Sequence, residues 1–147
     1  MLQIRKIRPE DIDFILELTK DFECSRVKLL PNIENFLVCE NDNIKCGCGC
    51  LIPLDSTGLI SWVTVKESYR REKLGSAITK ALLNIAELKG IKEVYAAGIC
   101  GDFLTAMGFV KYESKAASED MREILGDIDG DCYKVTLEGY FKPCSHK

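Results

Sequence analysis

The sequence predicts an α+β fold, and three observations carry that prediction. Short apolar runs rich in β-branched residues read as strands. Two longer stretches, residues 9–21 and 73–89, place their apolar residues at helical spacing. Turn-forming clusters then cut the remaining sequence into pieces of strand length. With 147 residues the chain is near the common size of one domain and can bury a real core. We therefore expect residues 1–147 to form a single domain.

The elements follow in order. A strand is expected over residues 2–7 and a helix over 9–21, where Pro9 suits the first helical position. Glu10 and Asp11 favour the positive end of that helix, and Ile12, Ile15 and Leu16 give it an apolar face. Strands over 35–39, 45–52 and 58–65 are separated by Glu40-Asn41-Asp42-Asn43 and by Asp55-Ser56-Thr57-Gly58. The helix over 73–89 carries Ile78, Ala81, Leu82, Ile85 and Leu88 on one face and ends at Gly90. A strand over 92–97, a short helix over 102–107 closed by Gly108, a strand over 109–113 and a last strand near 132–137 complete the order.

The join between the third of these central strands and the second helix is the most informative stretch. It reads Trp62-Val63-Thr64-Val65-Lys66-Glu67-Ser68-Tyr69-Arg70-Arg71-Glu72-Lys73-Leu74-Gly75-Ser76-Ala77. A helix start offers unpaired backbone N–H groups and a positive dipole end, and Arg70, Arg71 and Lys73 stand beside it. Gly75, Ser76 and Ala77 are small enough for an anion to approach the backbone. The chemistry is that of a pyrophosphate cradle.

This cassette resembles the acetyl-CoA-binding motif of the Gcn5-related N-acetyltransferases, Arg/Gln-x-x-Gly-x-Gly/Ala after a central strand. Here the motif runs Arg70-Arg71-Glu72-Lys73-Leu74-Gly75, so the last glycine matches and Lys73 replaces the first. The element order and the phrase Ala106-Met107-Gly108-Phe109-Val110 are also similar to that family. The resemblance implies a central mixed, mostly antiparallel sheet flanked by helices, with acetyl-CoA as cosubstrate. It implies cofactor contacts at Arg70, Arg71, Glu72, Lys73, Leu74, Gly75 and Ser76. It also implies that backbone groups of Trp62, Val63, Thr64 and Val65 meet the thioester and pantetheine where the central strand splays from its neighbour.

Acetyl transfer of this kind needs an aligned amine, a polarised carbonyl and somewhere to send protons. The family's usual general acid is a tyrosine four residues before the glycine of the Gly-Phe pair, and that position is Leu104. Cys100 is the substitute candidate, because an ordinary thiol titrates near ~8.5, close to a leaving thiolate. Tyr95 and Tyr112 read as core or rim aromatics, Ser61 stands where some members carry an acid, and Asp102 and Glu113 are within reach only through water. The resemblance implies an N-acetyltransferase acting on a primary amine of a small molecule, an amino acid included. The alternative is a catalytically weak CoA-binding domain with a regulatory or thiol- or metal-sensing role. The acceptor pocket falls to segments 21–35 and 116–131.

Composition excludes other classes. A formal net charge of −3 argues against general nucleic-acid binding, and no unbroken apolar run suggests a membrane span. The amino-terminal residues Met1-Leu2-Gln3-Ile4-Arg5-Lys6 lack a secretory apolar stretch, so a cytoplasmic, reducing setting is expected for the eight cysteines. Cys46, Cys48 and Cys50 alternate with glycines on a strand, which would put all three on one face about 7 Å apart, too far to bridge. They read as small buried hydrophobes, and no metal is expected. Cys144 and His146 near the end of the sequence make a poor cage. Asp127, Asp129, Asp131 and Glu138 have calcium-loop spacing, but Cys132 takes the place of the required glycine. The sole histidine, His146, leaves a Ser-His or Cys-His hydrolase without a base. The oligomeric state stays open, a homodimer included.

Overall fold

A computed structural model of the chain describes residues 1–20, 29–54, 56–96, 99–112 and 132–141, with the side chains of Arg71, Glu72, Tyr112 and Cys132 left out. The elements are β1 (Leu2–Lys6), α1 (Ile12–Thr19), β2 (Phe36–Asn41), β3 (Ile44–Leu54), β4 (Thr57–Val65), α2 (Leu74–Leu88), β5 (Glu93–Ala96), α3 (Gly101–Ala106), β6 (Val110–Tyr112) and β7 (Cys132–Thr136). Short 3₁₀ turns precede α1 (Pro9–Asp11), β2 (Leu30–Asn35) and α2 (Glu67–Glu72). The seven strands form one sheet in the order β1-β2-β3-β4-β5-β7-β6. Only β4 and β5 run parallel among the described residues, joined by the α2 crossover. The mixed, mostly antiparallel sheet is the one the resemblance implied.

Each face of the sheet carries its own apolar cluster. Against α2 pack Leu37, Leu51, Ile60, Val94, Ala96 and Val135, with Ile78, Leu82 and Leu83 from the helix. Against α1 pack Phe36, Val38, Leu59, Trp62 and Tyr95, with Ile15 from the helix. The face of α1 differs from the expected one, since Leu16 is 40% exposed while Phe14 and Leu18 join the cluster. Asp11 also does more than favour a helix end. It is fully buried, accepts both guanidinium nitrogens of Arg5 at 2.7 and 3.0 Å, and pairs with Lys45 at 2.9 Å. Arg5 in turn reaches Glu40 at 3.1 Å, so one ionic cluster ties the start of α1 to β1, β2 and β3.

Turn chemistry matches local sequence. Asp42 and Asn43 take φ of 51° and 71°, the two-residue hairpin geometry that Asn and Asp tolerate best. Gly90 (φ 78°) and Gly108 (φ 96°) end α2 and α3 in the left-handed region, as expected from their positions. No described helix is long and apolar enough to cross a membrane.

Two bulges overturn simple alternation. Cys39 pairs with Gly47 but Glu40 with Lys45, so Cys46 is an extra residue on β3. In consequence Cys46 joins the α2 cluster while Cys48 and Cys50 join the α1 cluster. The three cysteines therefore do not share one face. Gly47 and Gly49 instead turn toward α2, where a Cβ on Gly49 would lie 2.7 Å from Ile78 Cγ2. The glycines let the helix sit directly on the strand.

Candidate functional site

The second bulge builds the site. Cys48 pairs with Thr64 and Cys50 with Ser61, so Trp62 and Val63 together oppose Gly49. Trp62 adopts φ 52°, a costly conformation for a bulky residue, held by Phe36 stacked at 5.6 Å. Its carbonyl accepts the Cys48 thiol at 3.6 Å. On its other side β4 pairs with β5 only from Thr57 to Ile60, the last described pair being Ile60 with Ala96. Beyond that pair the backbone of Ser61 to Val65 has no described partner on the β5 side. An unpaired strand edge is a row of donors and acceptors open to a ligand.

Side chains around this edge divide by face. Val63 and Val65 point into the α2 cluster, whereas Trp62 points into the α1 cluster. Directly paired residues share a face, so Ser61 and Thr64 look the same way as Cys50 and Cys48, toward α1. Both are buried, and the Thr64 hydroxyl, on a residue 5% exposed, has no hydrogen-bond partner among the described residues. Such an orphan costs about 1–3 kcal/mol unless something satisfies it. Tyr95 belongs to the same cluster, and its phenol is raised by burial first and by Glu93 second.

The basic turn lies at the far end of the open edge. After β4 the chain makes the 3₁₀ turn Glu67–Glu72, with Tyr69 N donating to Lys66 O at 2.8 Å. Arg70 folds back so that its Nε donates to Val65 O at 3.1 Å, bracing the turn onto the strand. Lys73 then takes φ 60°, ψ 27°, and α2 starts at Leu74, one residue later than expected. The missing family glycine is thus replaced by a lysine in the left-handed conformation a glycine would take. Leu74 buries its side chain in the core, leaving only its backbone for a ligand. A Cβ on Gly75 would meet nothing closer than Phe103 at 3.5 Å, an ordinary contact, so the protein itself does not need a glycine there. That vacancy suits an approaching anion. The residues present fit a pyrophosphate at the turn with a pantetheine arm along β4.

Helix α3 faces the same side of the sheet. Leu104 is fully buried in the α2-side cluster, and Phe103 is the residue that faces Gly75. A proton-carrying side chain at position 104 would therefore enter the core. Cys100 is exposed at the N-cap of α3, and Asp102 is exposed in its first turn. Glu113, segment 21–28, segment 116–131, the acidic run from Asp127 to Asp131, and Cys144 and His146 lie outside the described residues. A cavity of about 770 Å³ adjoins the turn, lined by Lys73, Ser76, Lys80, Ala106, Met107, Tyr140 and Phe141. Sequence reasoning missed its Lys80, Tyr140 and Phe141. The Lys73-Ser76-Lys80 spacing carried a signal, whereas the approach of Tyr140 is purely tertiary.

Comparison with known proteins agrees with this fold. Residues 32–111 match the family described as the acetyltransferase (GNAT) domain. An amino-acid acetyltransferase from Yersinia enterocolitica is 30% identical over 102 residues, covering 63% of this chain and 23% of that protein. The chain thus matches about a quarter of that relative's length. N-acetylglutamate synthase from Neisseria gonorrhoeae, solved with coenzyme A and N-acetyl-glutamate, superposes with a TM-score of 0.82 at 19% identity. That likeness covers 93% of this chain and 35% of that one. A GNAT-family acetyltransferase from Staphylococcus aureus Mu50 gives a TM-score of 0.75 at 17% identity, covering 93% of this chain and 99% of its own.

Proposed function

Because this chain belongs to the GNAT acetyltransferase family, we propose that it transfers an acetyl group from acetyl-CoA to the primary amine of a small molecule, an amino acid being the favoured class. The observation that carries this reading is the open backbone edge of β4 beyond Ile60, continuous with the turn at Gly75. Acetyl-CoA supplies an acyl group already activated as a thioester. The backbone of Trp62 to Val65 orients and polarises its carbonyl, and the turn at Arg71–Ser76 holds the pyrophosphate. Ser61 and Thr64 offer hydroxyls on the α1 face to the acceptor. Cys100 is assigned the return of a proton to the departing thiolate. The amino-acid acetyltransferase relative and the synthase bound to N-acetyl-glutamate support the acceptor class.

A second reading is favoured by one observation. Leu104 is sealed in the core and α3 presents no tyrosine, which suits a domain that binds CoA with little turnover. The two readings separate in a turnover assay of acetyl-CoA against an amine and amino-acid panel, read by product mass. Product above the uncatalysed rate supports the transferase, and none across the panel supports the binder. Gly75→Ala tests the cofactor placement in either case. Alanine fits the protein and favours the helix by roughly 0.5–1 kcal/mol, so melting should rise or hold while acetyl-CoA affinity falls at least about tenfold. Unchanged affinity by calorimetry would move the pyrophosphate elsewhere.

A further inference from the structure

Thr64 and Lys66 stand two residues apart where β4 ends, and the cofactor contacts use neither side chain. The Thr64 hydroxyl is buried on the α1 face with no hydrogen-bond partner among the described residues. A valine would fill much the same space without that cost, so a threonine kept there is consistent with a group from outside the chain reaching it. Strand alternation puts Lys66 on the same face, about 7 Å farther along. The register holds to that point, because Lys66 N donates to Cys46 O at 2.8 Å. The Lys66 ammonium lies 5.6 Å from the centre of the Phe14 ring, and Phe14 packs against the α1 cluster. The ring keeps the charge at the rim of that face. Lys66 makes no ion pair among the described residues, whereas Arg5 and Lys45 are committed to Asp11. A buried acceptor with an unspent cation beyond it suits a molecule with an amine at one end and an anion at the other.

We propose, resting on the transferase reading above, that Thr64 and Lys66 select an acceptor whose carboxylate lies one carbon from its amine, an α-amino acid rather than a bare amine. The acceptor nitrogen must approach the thioester carbonyl held by the Trp62 and Val63 backbone, which brings it beside the Thr64 hydroxyl. The Thr64 oxygen accepts one N–H and leaves the nitrogen lone pair directed at the carbonyl carbon. That lone pair forms the C–N bond, and the C–S bond breaks with its electron pair on sulfur. The nitrogen gives up one proton and the sulfur gains one. The acceptor's carboxylate then points along β4 toward Lys66, whose flexible four-carbon stem lets the ammonium close the remaining distance.

Steady-state turnover of the full chain tests this on amino acids, each matched to its carboxamide and its decarboxylated amine, with products read by mass. The best acid should show kcat/KM at least about tenfold above its two matched partners. Lys66→Met should raise KM for the acid about tenfold with kcat nearly held, bringing the acid level with its carboxamide. Thr64→Val should melt no lower than the wild-type chain, because an orphan hydroxyl leaves the core, while kcat/KM falls several-fold for acid and carboxamide alike. Thr64→Ser, which keeps the hydroxyl, should retain most of the rate. Acetyl-CoA affinity by calorimetry should match wild type in Lys66→Met. No preference for the acid in the wild-type chain overturns the proposal, as does a Lys66→Met chain that keeps the preference or loses acetyl-CoA affinity. Thr64→Val at full kcat/KM, or Thr64→Ser as slow as Thr64→Val, also overturns it. Amines acetylated without regard to a carboxylate leave the transferase standing and defeat only this site. No product from any amine defeats both.

Discussion

Lys73 shows how much one residue can be asked to do. Its left-handed backbone costs a non-glycine residue roughly 1–2 kcal/mol, and the conformation persists because Leu74 is buried on one side and the 3₁₀ turn closes on the other. A lysine kept there at that cost is consistent with its charge being used. Lys73→Gly should therefore separate two properties. Relief of strain, less the added freedom of the unfolded chain, should raise stability by up to about 1 kcal/mol in urea titration. Removal of the cation should weaken acetyl-CoA binding several-fold. A variant that is less stable, or binds as tightly, would contradict the strained-cation account. Leu104 teaches the converse. Counting from Gly108 located the family's tyrosine position, but the residue there is core, so Leu104→Tyr would overpack the α2 cluster rather than supply an acid.

At the scale of elements, the contacts that fix β3 lie on both its faces. Gly49 sits under Ile78 and Leu82, and Gly49→Ala would force a Cβ to 2.7 Å from Ile78. We expect a loss of about 1–3 kcal/mol by denaturant unfolding, because α2 must lift from the strand that carries the bulge. On the α1 side the ionic cluster sets an acid limit. Arg5 first, then Lys45 and the Arg8 backbone N–H, hold the buried Asp11 carboxyl well below its ordinary 3.8. The folded value is depressed, so its stabilisation is complete above the unfolded value and drains away as pH falls below it. Asp11→Asn should cost roughly 3 kcal/mol at neutral pH, since Arg5 and Lys45 lose their buried partner. It should also flatten the fall in stability below about pH 4. An acid limb identical to that of the wild-type chain would remove Asp11 from that role.

For the whole molecule, what was legible in the sequence was whatever is written locally. Gly90, Gly108 and Asp42-Asn43 announced their turns, and the β4–α2 join announced a basic turn leading into a helix, because each depends on a few neighbouring residues. The bulges at Cys46 and Trp62 were not legible, since a bulge is decided by the partner strand; one extra residue reverses every side chain beyond it. That reversal split the cysteines between two cores and turned Thr64 toward α1. It also yields the last prediction, which follows from where the thiols ended up. Cys39, Cys46, Cys48 and Cys50 are buried and form no disulfide, while Cys100 is exposed. Burial pushes the Cys39 and Cys48 thiols up to about 12 and raises Cys50 as well, so thiolate at neutral pH is scarce and shielded. Alkylation of the native chain at pH 8 should modify Cys100 within minutes and these four only as the sheet opens. Their rate should follow denaturant in step with global unfolding. Unfolding without reductant should then expose all eight thiols of the sequence to the reagent by intact mass. Cys100→Ala should remove one fast adduct, and if that thiol is the proton donor it should lower kcat by about 10²-fold with acetyl-CoA affinity intact. Full turnover in that variant would pass the proton to water, and a native mass short of two reactive thiols after unfolding would reveal a disulfide.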